Sequence, residues 1–253
     1  VGGGAVFFDI KPKKSVINDI NKNIANSYKN IKSDVTKVIT LLKKYSNEYK
    51  SLNEAKKVKY FYNQRDNFNR LIKKEDYGHR NTALLLFLNK TCFNGIYREN
   101  SKGEFNVPHG RYVNPKIIDE ENLKETSKFL RTTKIESNDF EKIFKKGKKG
   151  DFFYIDPPYM PITQTAHFTM YDKSGFDKIS QIRLRFAIEE LDKKGCFILF
   201  NNSDHPFVRD LYTDNNKLFS SKSFKINTVK ANRAVNSKAS GRGKINELII
   251  TNY

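Results

Sequence analysis

Four consecutive residues, Asp156, Pro157, Pro158 and Tyr159, carry the chemistry most directly legible in this chain. They follow Phe152-Phe153-Tyr154-Ile155, a short apolar run that reads as a buried β-strand. An aspartate at the carboxyl end of such a strand can accept a hydrogen bond from an exocyclic amine. Pro157 lacks a backbone N–H and fixes its own φ, and it pushes Asp156 toward an extended backbone. A carbonyl of the turn can then face the same amine, and Tyr159 offers a flat ring on which a base can stack. Such a lip holds an amino group still while its nitrogen is attacked. The structural alternative is a strand that ends in a proline turn above an ordinary core tyrosine.

A second constellation lies at the start of the chain. Gly2, Gly3 and Gly4 read as a strand-to-helix turn, with a short helix over 5–10. Ser15 to Asn21 reads as a strand that ends at Asp19. A glycine turn followed by an acid at the end of the next strand suits an adenosine-type cofactor: the glycines let the backbone approach, and the acid takes the ribose hydroxyls. About fifteen residues separate Gly4 from Asp19, close to the roughly twenty of the dinucleotide fingerprint. A P-loop is excluded here because no Gly-Lys-Ser/Thr follows. Gly241-Arg242-Gly243-Lys244 also lacks the required Ser/Thr and helix.

The elements that must position these residues follow from periodicity. Apolar residues recur at helical spacing from Lys22 to Lys44, and further helices are expected over 47–73, 80–91 and 119–130. A strand is expected over 133–137. A helix over 140–145, the strand over 151–156, a helix over 177–193, a strand over 196–201, a helix over 206–212 and strands over 223–229 and 245–253 then alternate. This alternation predicts an α/β fold with a doubly wound, mostly parallel sheet, and the closing strands predict an antiparallel hairpin at one edge. In open α/β sheets ligands bind outside the carboxyl ends of the strands, where Gly2–Gly4, Asp19 and Asp156 would all fall.

Composition sets the partner class. Lys and Arg number 47 against 28 Asp and Glu, a net charge of +19, and the pI is about 9.7. Such an excess favours a polyanion, although lysines such as Lys43, Lys44, Lys56 and Lys57 also suit solvated helix faces. Cys92 and Cys196 fit neither a zinc site nor a disulfide framework and are expected as buried free thiols, which suits a reducing, cytoplasmic setting. No apolar stretch reaches the ~18–20 residues of a membrane helix, and no signal peptide is visible. His79, His109, His167 and His205 have no spacing that suggests metal or nucleophilic chemistry.

Residues 92–115 change character. They are rich in Asn, Gly and Pro, with Arg98, Lys102 and Arg111 interleaved with Phe93, Tyr97, Phe105 and Tyr112. A structured loop or hairpin of this length inside a domain is usually functional.

Taken together, the glycine turn, the strand around Asp19, Asp156-Pro157-Pro158-Tyr159, the block from Phe93 through Tyr112 and the ending from Arg242 resemble the Dam-type (D12 class) DNA adenine-N6 methyltransferases. Within that group the likeness is nearest to GATC methylases of restriction–modification systems. The resemblance implies a Rossmann-like methyltransferase domain of residues 1–45 and 131–253, with an inserted, mainly helical DNA-recognition domain of residues 46–130. It implies S-adenosylmethionine as methyl donor, double-stranded DNA as substrate, and a target adenine rotated out of the duplex. No metal is expected, and the likeness admits a cognate restriction endonuclease as a partner.

By the same resemblance, Asp156, Pro157, Pro158 and Tyr159 hold the flipped adenine, and Gly2, Gly3, Gly4, Asp19 and Asp156 face the cofactor. Phe93 and Asn94 fall where the family fills the space left by the flipped base. Ile96 and Arg98 fall where it reads base edges, and Pro108 and Arg111 lie in the same region. Hairpin packing is the alternative for Phe93 and Ile96, and a phosphate contact is the alternative for Arg98. Lys238, Ser240 and Arg242 are expected on phosphates. The family also carries an amino-terminal Trp/Gly/Gly/Lys signature and a strand before the glycine turn; neither is in this sequence, so the chain reads as lacking its natural amino end. Two rival functions remain from the residues alone: a DNA-binding module without catalysis, and an amino methyltransferase acting on cytosine N4, RNA or a protein amide.

Overall fold

The computed structural model describes residues 1–160, 176–213, 218–219, 224–232 and 244–253. They form two compact units, Val1–Asn138 and Asp139–Tyr253.

The first unit is mainly helical. Helix α1 spans Ala5–Ile10, strand β1 Ser15–Asn18, α2 Lys22–Lys50, α3 Glu54–Lys73, α4 His79–Thr91, α5 Glu120–Leu130 and strand β2 Thr133–Glu136. β1 and β2 pair in parallel, with Ser15 opposite Thr133 and Asn18 opposite Glu136. Asn21, Asn53 and Asp119 cap α2, α3 and α5 by accepting backbone N–H bonds, the expected way to satisfy orphan donors at a helix start. The core gathers Leu42, Tyr49, Phe61, Phe68, Leu84, Phe87 and Leu88 from α2 to α4.

Two sequence expectations shift here. Helix α2 runs to Lys50 rather than Lys44, and the next helix starts at Glu54 rather than Asn47. The buried stripe continues through Tyr45 and Tyr49, and the break comes where Asn53 can cap. A kink at Asp34 (φ −152°, ψ 80°) divides α2. The Asp34 carboxylate accepts the Lys37 N–H at 3.0 Å, capping the second half as a new helix.

The second unit is a mixed sheet with helices. Helix α6 spans Phe140–Phe144, strand β3 Phe152–Ile155, α7 Lys178–Lys193, β4 Phe197–Ser203, α8 Pro206–Tyr212, β5 Lys225–Asn232 and β6 Lys244–Thr251. The strand order is β3-β4-β6-β5. β3 and β4 are parallel, with Ile155 opposite Phe200. β6 lies antiparallel to both β4 and β5, which is the edge hairpin expected from the closing strands. Ile198 and Phe200 of β4, Leu248 and Ile250 of β6, and Leu184 and Ile188 of α7 form its core.

Both units are therefore α/β in composition, with mixed strand pairing. Among the described residues two ladders are parallel and two antiparallel, rather than mostly parallel, because β6 runs antiparallel to both β4 and β5. Cys92 and Cys196 are buried free thiols. No helix among the described residues is long and apolar enough to cross a membrane.

Candidate active site and DNA-contact surface

In the first unit the glycine turn is fastened to the end of β1. Gly2 and Gly4 have φ of 51° and 72°, a left-handed region that glycine enters without a Cβ penalty. At Gly4 a Cβ would also strike Phe8 at 2.8 Å and the Tyr28 hydroxyl at 2.9 Å. A Cβ on Gly2 or Gly3 would meet nothing within 4 Å, so that side of the backbone is open to a ligand.

Asp19 Oδ2 accepts the Gly2 N–H at 2.9 Å, and Oδ1 accepts the Asn21 N–H at 3.0 Å. Each carboxylate oxygen has about two lone-pair directions; Oδ2 also meets the Val1 amine at 3.4 Å, which leaves one open direction, on Oδ1. The Tyr28 hydroxyl donates to the Gly2 carbonyl at 2.9 Å. Burial, aided by the Asp19 charge, pushes Tyr28 up to about 12 and keeps it a donor. An open glycine backbone beside a strand-end carboxylate has the chemistry to hold a ribose-bearing cofactor.

In the second unit Asp156, Pro157, Pro158 and Tyr159 follow β3 directly, at its carboxyl end. Pro157 cannot extend the ladder because it has no N–H. Asp156 stays open to solvent, yet the protein mass around it withdraws water and raises its carboxyl pKa above the ordinary aspartate value. The Tyr159 hydroxyl donates to this carboxylate and opposes the rise. Burial first, then the Asp156 charge, raises Tyr159 and keeps its proton in place.

The turn is held from behind by side chains that sequence reasoning passed over. Gln181 of α7 donates to the Pro158 carbonyl at 3.1 Å. Asn202 of β4 donates to Gln181 Oε1 at 3.1 Å and accepts the Met160 N–H at 3.2 Å. The Ser203 hydroxyl donates to the Met160 carbonyl at 2.6 Å. The one sequence signal was the polar run Asn201-Asn202-Ser203 at the carboxyl end of an otherwise apolar strand.

The block after α4 is a hairpin. Cys92 bridges His109 and Glu99 bridges Phe105 in antiparallel fashion. Phe93 N–H donates to the Pro108 carbonyl at 2.9 Å and Asn106 N–H to the Arg98 carbonyl at 3.1 Å. Phe105, Val107 and His109 turn inward, and Asn106 and Pro108 are more exposed. Phe93 is 45% exposed rather than packed. Asn94 is exposed at φ 54°, with its N–H on the Tyr112 hydroxyl at 3.0 Å.

Arg98 is exposed, and its Nε–H is held by Asn106 at 2.8 Å. Arg111 is exposed as well. Ile96 is half-buried against the core. Phe93, Asn94, Arg98, Pro108 and Arg111 thus share one exposed hairpin, with Ile96 beneath it. Lys238, Ser240 and Arg242 lie outside the described residues.

His109, unremarkable in the sequence, is an internal strut. Its Nδ1 accepts the Arg111 N–H at 3.3 Å, so the proton sits on Nε2, 2.7 Å from the Tyr49 hydroxyl.

A strand-end acid on a glycine turn and an Asp-Pro-Pro-Tyr turn at the end of a parallel strand define an α/β enzyme of the amino-methyltransferase class. The chain belongs to the D12 class N6 adenine-specific DNA methyltransferase family, which matches residues 1–235. It is 40% identical over 255 aligned positions to the Type II methyltransferase M1.LlaDCHI of Lactococcus lactis subsp. cremoris, covering 100% of this chain and 84% of that protein. It is 43% identical over 260 positions to the Type II methyltransferase M.MjaIII of Methanocaldococcus jannaschii, covering 100% and 86%. A DNA adenine methylase of Vibrio cholerae is 32% identical over 250 positions, covering 98% of this chain and 83% of its own length. The protein is thus an adenine-specific DNA methyltransferase, and the choice among amine acceptors falls to adenine in DNA.

Proposed function

We propose that this enzyme transfers a methyl group from S-adenosylmethionine to N6 of adenine in GATC, on double-stranded DNA, with the adenine rotated out of the helix. The observation that carries the reading is the Asp156 carboxylate. It stands solvent-accessible at the end of β3, is made more basic by its surroundings, and is tethered by Tyr159. The reading divides the chain by function into a catalytic part of the doubly wound α/β type, 1–45 and 131–253, and an inserted DNA-recognition part, 46–130.

Gly2, Gly3, Gly4 and Asp19 would hold the donor, with Asp19 taking the ribose hydroxyls. S-adenosylmethionine supplies an electrophilic methyl group on a sulfonium. Asp156 and a carbonyl of the proline turn accept hydrogen bonds from N6 and localise its lone pair. Catalysis then rests on positioning and preset dipoles. The surplus proton on N6 passes to the Asp156 carboxylate, whose raised pKa suits it as the acceptor. Tyr159 stacks on the base, which offsets part of the few kcal/mol that unstacking costs.

Phe93 and Asn94 would occupy the vacated space. Arg98 suits a guanine edge, with Ile96, Pro108 and Arg111 completing the contact. Lys238, Ser240 and Arg242 would meet phosphates. Names of Type II methyltransferases among the relatives favour a cognate restriction endonuclease acting on the same site.

Transfer of tritiated methyl groups to duplexes that differ only in one GATC tests the reading. Incorporation at N6 of adenine in the GATC duplex alone is expected. Tight binding to that duplex without incorporation would leave a DNA-binding protein and overturn it.

A further inference from the structure

We infer that Gln181 and Asn202 are positioning residues that lock the Asp-Pro-Pro-Tyr turn and so aim the groups that meet the adenine amine. The inference rests on the function proposed above. Gln181 and Asn202 are 1% and 0% exposed, and burying two amides is costly unless their groups are bonded. The direction of the relay is fixed at both ends by the main chain. The Pro158 carbonyl can only accept, so Gln181 must present its NH2 there and its oxygen to Asn202. Asn202 must then present its NH2 to Gln181 and its oxygen to the Met160 N–H, which can only donate. No other orientation of the two amides satisfies all three bonds. Ser203, 3% exposed, closes the set by donating to the Met160 carbonyl.

The peptide groups on both sides of Tyr159 are therefore anchored to α7 and β4, elements of the core rather than the loop. Two consequences bear on the reaction. The ring of Tyr159 is held at a fixed height for stacking. Gln181 fixes the direction of the Pro158 carbonyl, and through the chain it sets the directions of the Asp156 and Pro157 carbonyls that precede it. A shift of the turn by a fraction of an ångström would misalign a lone pair that must point at a methyl group, and such misplacement is expensive in rate.

Gln181→Glu tests this in the full-length protein. The variant keeps size and shape but, when ionised, loses the donor to Pro158. We expect kcat to fall about 10–100-fold, with dissociation constants for the GATC duplex and the cofactor within about two-fold of wild type, the split that marks a loss confined to the reacting geometry. A buried glutamate is held above its usual pKa. Its protonated form can again donate to Pro158, so the ratio of variant to wild-type kcat should climb as pH is lowered. A merely structural role would not produce that rescue.

A second readout needs no turnover. With 2-aminopurine in place of the target adenine, the variant complex should be brighter than wild type, because a loosened Tyr159 stacks less firmly. Unchanged kcat and unchanged emission in a folded variant would overturn the inference. Should Gln181→Glu fail to fold, Ser203→Ala decides by the same readings: a several-fold lower kcat at unchanged duplex affinity supports the inference, and wild-type kcat overturns it. A wild-type enzyme that methylated no adenine would instead defeat the underlying function, which separates the two failures.

Discussion

Asn21 donates its side-chain amide to the Glu99 carboxylate at 2.9 Å, joining the end of β1 to the hairpin. The backbone N–H of the same Asn21 goes to Asp19 Oδ1 at 3.0 Å. Tyr97 reinforces the link: its hydroxyl donates to Glu99 and accepts from Asn21 and Asn23. A residue beside the candidate cofactor acid and a residue beside Arg98 are thus bonded directly. Asn21→Ala and Glu99→Ala should each destabilise, the former by about 1 kcal/mol more through loss of the α2 cap. In a double-mutant cycle followed by urea unfolding, the pair should be non-additive by about 1 kcal/mol. Additive losses would show that the two side chains do not support one another.

Asp156 should trade stability for activity. Its carboxyl pKa is raised by the water-excluding protein around this solvent-accessible group, against the Tyr159 bond, so as pH climbs through the unfolded value near 3.8 the unfolded chain ionises first. Stability therefore falls with rising pH across the interval up to the folded pKa, and the loss persists at neutral pH. Asp156→Asn carries no such charge. Its melting temperature should exceed that of wild type at pH 7, and the difference should shrink below the ordinary aspartate pKa. Methyl transfer should drop by about 10²–10³-fold, as for loss of one preset electrostatic contact. A less stable Asn variant at neutral pH would contradict the sign argued here.

The hydroxyl and the ring of Tyr159 should separate. Tyr159→Phe removes only the donor to Asp156 and keeps the stacking face. Tyr159→Ala removes both. Stacking of a base on an aromatic side chain is worth about 1–3 kcal/mol, so the Ala variant should lose roughly 10–100-fold more in kcat/KM than the Phe variant. Equal losses would place the whole contribution on the hydroxyl.

The parts of this architecture that were legible in the sequence are local ones. The run Phe152–Ile155 before Asp156 has no competing reading as a helix, and the glycines at 2–4 required positive φ that the backbone adopts at Gly2 and Gly4. The Asn, Gly and Pro content of 92–115, with its interleaved basic and aromatic residues, marked a structured loop or hairpin. What stayed hidden depends on partners far along the chain. Gln181 sits within an amphipathic helix, where a polar residue ordinarily faces water; only its bond to a carbonyl 23 residues earlier shows otherwise. Asp19 looked like a free acid, yet it also fastens a turn 17 residues away. The end of α2 was misplaced because Tyr45 and Tyr49 continue a buried stripe past the point where Lys43 and Lys44 suggested a surface.

His109 makes the hairpin sensitive to acid. Burial holds its pKa below the ordinary value near 6.5; Arg111 and Lys57 add to the depression and Glu54 opposes it. With a folded pKa below the unfolded one, its contribution to stability is intact above pH 6.5 and is lost as pH falls through the unfolded value toward the folded one. Protonation of Nδ1 also takes away the acceptor for the Arg111 N–H, where the backbone already holds a φ of 54°. Melting temperature should therefore decline more steeply between pH 6.5 and 5 in wild type than in His109→Phe, which keeps the ring contacts with Phe61 and Tyr49 but cannot titrate. Identical slopes would remove His109 from the acid response.

Arg185 offers the sharpest contrast between charge and shape. It is 2% exposed, with its guanidinium 4.4, 4.7 and 5.2 Å from the ring centres of Phe219, Phe224 and Tyr212, and its Nε donates to the Leu211 carbonyl at 2.9 Å. From sequence it is one more cation on a helix. A flat guanidinium fills a slot between rings that a lysine ammonium does not match. Arg185→Lys should thus destabilise by about 3 kcal/mol, in the range for disrupting a buried ionic group. Arg185→Met, of similar length and apolar, should cost less: it needs no solvation, and although it removes the 3.9 Å contact with Glu189, that carboxylate stays paired with Lys193 at 3.2 Å. Urea unfolding of the two variants gives the order. A lysine variant more stable than the methionine variant would show that positive charge, rather than the planar fit among three rings, holds α7 to this end of the sheet.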